Sequence, residues 1–157
     1  MREITLMNPQ DSPMQTPKPS RRKARRYAVQ ALYGWAMSQN AAQDIEEHFL
    51  IEHQHDNFDR DYFRILLQSV IKQVDSLHEL LAPQLDRDLN DLDLVEHTVL
   101  RIAVLELRDH LDIPYRVVLN EALDLTKTFG TTDGYKFVNG VLDKLARQLR
   151  KTEIKTK

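Results

Sequence analysis

From Ala24 to Leu149 the apolar residues of this chain return every three or four positions, and no segment alternates with period two. That spacing gathers them on one side of an α-helix, whose side chains repeat every 3.6 residues, and leaves no pattern for half-buried strands. Phe63, Leu66, Leu67, Val70, Val74, Leu77 and Leu81 make the clearest stripe and predict one helix over 59–81. Residues 94–111, LVEHTVLRIAVLELRDHL, carry apolar side chains around almost the whole circumference, which predicts a central, buried helix capped by Asp91 or Asp93. Ala24, Ala28, Ala31, Leu32 and Trp35 predict a helix over about 21–38 with Ser20 as its cap, and a short helix is expected near 43–51.

Further on, Pro83 ends the long helix, with a short turn expected to continue to Leu89. Pro114 suits a helix start, with Val118, Ala122, Leu125 and Phe129 inward and Gly130 as the stop. Thr132 or Asp133 would cap a last helix with Val138, Val141, Leu142, Leu145 and Leu149 on one face. The expected fold is therefore all-α, a single compact domain of about six or seven helices over residues 21–150. Residues 1–20, with Pro9, Pro13, Pro17 and Pro19, read as a flexible leader, and 151–157 as a frayed polar tail.

Charge is distributed unevenly along this chain. Arg21, Arg22, Lys23, Arg25 and Arg26, with Lys18 before them, fall in a stretch from Asp11 to Asp44 that holds no acidic residue between those ends. The formal net charge of the whole chain is -2, so the remainder is acidic nearly everywhere else. Positive charge gathered at one end is the footprint of a polyanion, nucleic acid first, unless it is a solvated helix start without a partner. Arg22, Arg26 and Tyr33 share a stripe away from the apolar one, and an exposed aromatic in line with arginines suits a binding surface or a core rim.

Seats for catalysis are missing. Zero cysteines exclude disulfides, thiolate metal sites and cysteine nucleophiles, and four glycines leave none for a phosphate-cradling loop. His53 and His55 stand two apart without a further ligand pair, which fits a solvated loop better than a metal, and no cofactor is expected. No apolar run reaches the roughly 18–20 residues of a membrane span, and the start lacks a secretory signal, so a cytoplasmic protein is expected. Glu106 lies on the face of Val99 and Ile102, where a lone carboxylate is costly, and is expected to accept an arginine or backbone amides inside the domain. Glu96, one position off that face, would begin an exposed edge that can meet a partner. Phe137, after Lys136, either stacks on an unpaired base or rims the core.

The segments RRKARRYAVQALYGW, DLVEHTVLRIAVLEL, IPYRVVLNEALDLTKTFG and GYKFVNGVLDKL, in this order, resemble the NusB family of bacterial transcription antitermination factors. The resemblance implies two helical subdomains, no enzymatic activity, and recognition of boxA single-stranded RNA in ribosomal RNA leader transcripts. It implies a partner, the ribosomal protein called NusE in this role, and joining of the RNA polymerase antitermination complex. By position, Arg21, Arg22, Arg25, Arg26, Lys136 and Phe137 would contact RNA, and Tyr33 and Glu96 would face the protein partner. Two other readings compete: a protein-binding adaptor or homodimer without specific RNA recognition, and the helical domain of an rRNA methyltransferase. The latter needs a second domain and a catalytic cysteine.

Overall fold

The computed structural model describes residues 19–86, 88 and 91–155. The proline-bearing leader up to Lys18 and the expected turn at Leu89 lie outside the described residues. Among the described residues eight α-helices follow one another: α1 (Arg21–Ser38), α2 (Ala42–Glu52), α3 (Arg60–Lys72), α4 (Val74–Leu81), α5 (Leu94–Asp109), α6 (Tyr115–Phe129), α7 (Thr132–Leu149) and α8 (Lys151–Lys155). A 3-10 turn, Ala82–Gln84, follows α4. Among the described residues there is no strand, and one isolated bridge joins Ser20 to Phe58.

Helices α1, α2 and α3 pack on one another; α5, α6 and α7 form a second group, with α4 against α5. Both α1 and α3 also lie on α5, which joins the two groups around it. That position explains the apolar circumference: every α5 residue from Thr98 to Leu107 except Arg101 is buried. The stripes read from the sequence face this core, with Ala24, Ala28, Leu32, Phe63, Leu66, Val118, Leu125, Val138 and Leu142 all buried.

Three details differ from expectation. The helix expected over 59–81 is broken at Gln73, which closes α3 and opens α4 with φ -112° and ψ 22°. The Arg108 guanidinium donates to the Gln73 side-chain oxygen and to Ser76 Oγ at 3.0 Å, so α5 holds the break in place. The cap of α7 is Thr131, one residue earlier than expected, with Oγ1 accepting from the Gly134 N–H at 3.0 Å. Lys151–Lys155, at the start of the expected frayed tail, form α8, which the 4%-exposed Arg150 anchors. Its guanidinium donates to the carbonyls of Glu106, Leu107, His110 and Ile113 at 2.7–3.2 Å, covering the C-terminal end of α5. Glu153 then pairs with Arg150 and accepts the Tyr115 N–H at 2.9 Å, tying α8 to the start of α6.

Candidate nucleic-acid interface

The basic cluster opens α1, whose first turn is fixed from two sides. Ser20 Oγ accepts the Lys23 N–H at 3.0 Å, and the Ser20 carbonyl accepts from Ala24 and from Asp59, at the start of α3. The helix therefore enters the domain at a set point and rotation, which decides where each arginine goes.

Arg25 goes inward. It is 4% exposed and its Nε donates to Glu106 Oε2 at 2.9 Å, while Nη1 reaches Glu121 Oε1 at 3.5 Å. The Tyr62 hydroxyl donates to the same Glu106 oxygen. Burial depresses the Arg25 pKa, but Glu106, Tyr62 and Glu121 more than offset it, so the guanidinium is held charged. Burial, then Glu106, pushes the Tyr62 ionisation up, so the phenol stays a donor. The Glu106 expectation is met by this arginine. Arg25, expected to contact RNA, is instead found with its charge paired inside the core, to a carboxylate 81 residues away in sequence.

The other arginines stay at the surface yet none faces open solvent alone. Arg22 pairs with Glu121 at 3.4 Å and Asp124 at 3.3 Å, and Arg26 with Asp124 at 3.5 Å. Arg21 lies 3.7 Å from Asp59 and 3.8 Å from Asp112, its guanidinium 4.3 Å above the Tyr62 ring. Lys23 helps hold the Asp56 carboxyl below its usual range, after the larger effect of the Tyr27 hydroxyl that donates to it. The charges of Arg21, Arg22, Arg25 and Arg26 are thus met by acids that the fold brings in from α5, α6 and the loops before α3 and after α5.

Helix α6 links this cluster to a second basic one. Glu121, Asp124 and Lys127 stand three apart on one stripe. Lys127 Nζ sits 5.0 Å from the centre of the Tyr135 ring, and with Gly130, Thr131, Tyr135 and Lys136 it lines a cleft of about 300 Å³. Lys136 is exposed and Phe137 half-buried; both, with Lys144 and Gly140, border a neighbouring cleft of about 200 Å³. Lys127, Tyr135 and Lys144 were not singled out from the sequence, although the first two lie within the TKTFG and GYKFVNG segments. A cation at a helix end and an aromatic three residues into the next helix were the available signals.

Tyr33 is 41% exposed and borders a third cleft, of about 310 Å³, with Val29, Gln30, Val95 and Phe129 from α1, α5 and α6. The exposed edge expected at Glu96 is corrected: the residue is 7% exposed. The start of α7 covers it, and a β-carbon on Gly134 would overlap its carboxylate. His53 stacks on Tyr27 at 4.1 Å and lies near Glu52 and Asp56, while no group of three or more metal-ligating side chains occurs among the described residues. No helix among them is long and apolar enough to cross a membrane.

Known proteins share this sequence and fold. Transcription antitermination protein NusB of Colwellia psychrerythraea is 50% identical over 137 residues, covering 87% of this chain and 99% of that protein. The namesake from Alcanivorax borkumensis is 51% identical over 134 residues, 85% of this chain and 89% of its own length. Among solved structures, T. maritima NusB superposes with a TM-score of 0.77 at 29% identity, over 88% of this chain and 99% of that one. Antitermination factors NusB and NusE in complex with dsRNA give 0.73 at 25% identity, over 82% and 96%. The NusB family pattern matches residues 22–147, and on that match the chain belongs to the NusB family.

Proposed function

We propose that this chain is an RNA-binding transcription antitermination factor that works by assembly and not by catalysis, in the cytoplasm. It grips boxA-type single-stranded RNA of ribosomal RNA leader transcripts together with NusE, and the pair joins the RNA polymerase antitermination complex. The observation that carries this reading is the NusB family match over residues 22–147, in a fold shared with a NusB solved alongside NusE and RNA.

In this reading Arg21, Arg22, Arg26 and Lys136 meet phosphates, and Phe137 offers a ring for an unpaired base. Their support is exposure: the Arg22 and Arg26 side chains are 54% and 40% accessible. Tyr33 and its cleft face NusE. Arg25 and Glu96 act indirectly, by setting the position of α1 and of the start of α7. Phosphate contacts position the strand without reading it, so this chain alone binds RNA modestly and the partner extends the surface.

The test is fluorescence anisotropy of a labelled boxA-like RNA, with and without NusE, beside a scrambled strand and a duplex. Tighter binding of the pair to the boxA strand is expected, with Arg22→Ala plus Arg26→Ala losing most of it while circular dichroism is unchanged. Equal binding to all three RNAs, or no effect of the arginine changes, would sink the assignment.

A further inference from the structure

The acids opposite the arginines do more than neutralise them. We propose that Asp124 and Glu121 of α6 are built-in competitors of RNA phosphate for Arg22 and Arg26, holding down the affinity of this chain for every polyanion. The inference rests on the RNA-binding reading above and adds to it the residues that set its strength.

Three observations carry it. First, a carboxylate offers a guanidinium the same pair of acceptor oxygens as a phosphate, so the two are alternative ligands for one fork. Asp124 gives one oxygen to Arg22 at 3.3 Å and the other to Arg26 at 3.5 Å, bridging two arginines as a phosphate would. Second, these pairs are exchangeable. They are looser than the 2.9 Å contact of Arg25 with Glu106, and the Arg22 and Arg26 side chains are 54% and 40% exposed against 5% for Arg25. Third, the acids are more buried than the arginines they hold, at 18% for Glu121 and 29% for Asp124. The guanidiniums can swing out to a ligand while the carboxylates stay behind, facing it.

The seam is balanced: Arg22, Arg25 and Arg26 against Glu106, Glu121 and Asp124. A polyanion must break the outer pairs before it gains their charge. The loss falls equally on every RNA, but its consequence does not. Weak, charge-driven complexes drop below occupancy at ordinary RNA concentrations, whereas a complex reinforced by base contacts and NusE stays filled.

Asp124→Asn tests this, because the ion pairs of the Asp124 carboxylate among the described residues are with Arg22 and Arg26, whereas Glu121 also supports Arg25. By anisotropy at low salt, Asp124→Asn is expected to bind boxA-like and scrambled RNA about two- to five-fold more tightly, the ratio between them unchanged. The gain should shrink as added salt screens the competing pair. Asp124→Glu should keep the wild-type affinity. Glu79→Gln, which removes one exposed carboxylate from α4, should leave affinity near wild type. Unchanged affinity in Asp124→Asn, or a gain no larger than that of Glu79→Gln, overturns the proposal. A loss of affinity overturns it too, since the acid would then be positioning the arginines. If Arg22→Ala plus Arg26→Ala abolishes binding in the same assay while Asp124→Asn does nothing, the RNA reading stands and the competitor fails. If the wild-type chain binds no RNA with or without NusE, both fall.

Discussion

Two arginines one helical turn apart face in different directions, and their deletion should be felt in different assays. Arg22 is surface charge, so truncating it alters ligand affinity with little change in stability. Among the described residues Arg25 is one of two side-chain donors on a buried carboxylate, and removing it takes away the cationic one, leaving the Tyr62 hydroxyl. Arg25→Ala is therefore expected to destabilise the fold by about 3–5 kcal/mol, seen as a lower urea midpoint at unchanged slope. A midpoint within experimental error of wild type would show that the buried pair is dispensable. The need of Glu106 for a partner was legible in the sequence, because a carboxylate among Val99 and Ile102 has to be satisfied. Which partner was not legible, since a run of five basic residues does not say which one α1 turns inward. The burial of Glu96 was not legible for a related reason: a helical wheel counts the faces of one helix and knows nothing of α7, whose start lies over that edge.

Helix existence follows from local periodicity, and so α1, α2, α5, α6 and α7 were readable within a few residues of their ends. The break at Gln73 was not, because the apolar stripe from Phe63 to Leu81 stays in phase across it. The Arg108 side chain, which arrives from α5, meets the chain there, a contact no local pattern announces. The same holds for α8, whose polar sequence gives no stripe and whose anchor is a single arginine reading four carbonyls of another segment. Arg150→Ala strips those carbonyls of their donor and removes its ion pair with Glu153, and a loss of roughly 2–4 kcal/mol is expected. Hydrogen exchange should localise the effect to the end of α5 and to α8. Exchange that stays at wild-type levels there would mean that water replaces the guanidinium without penalty.

Across the whole molecule, the charge asymmetry along the sequence pointed to a polyanion, but the folded surface is more balanced than the sequence suggests. The acids that meet Arg21, Arg22, Arg25 and Arg26 lie more than 30 residues away in sequence, and no local pattern links them. On the proposed reading four cations, Arg21, Arg22, Arg26 and Lys136, remain for phosphates. The slope of log affinity against log salt for single-stranded RNA should then be about -3, at roughly 0.7 per contact. A slope near -1 would leave too few contacts for that set. Arg22→Ala plus Arg26→Ala should flatten it by about 1.4. The inward Arg25 has one more effect, on measurement of distance. Because it and the Ser20 anchor fix both the height and the rotation of α1, Arg22 and Arg26 become two marks on a rigid ruler, about 6 Å apart along the axis. A strand can satisfy both marks only if its backbone offers acceptors at that interval and in that phase.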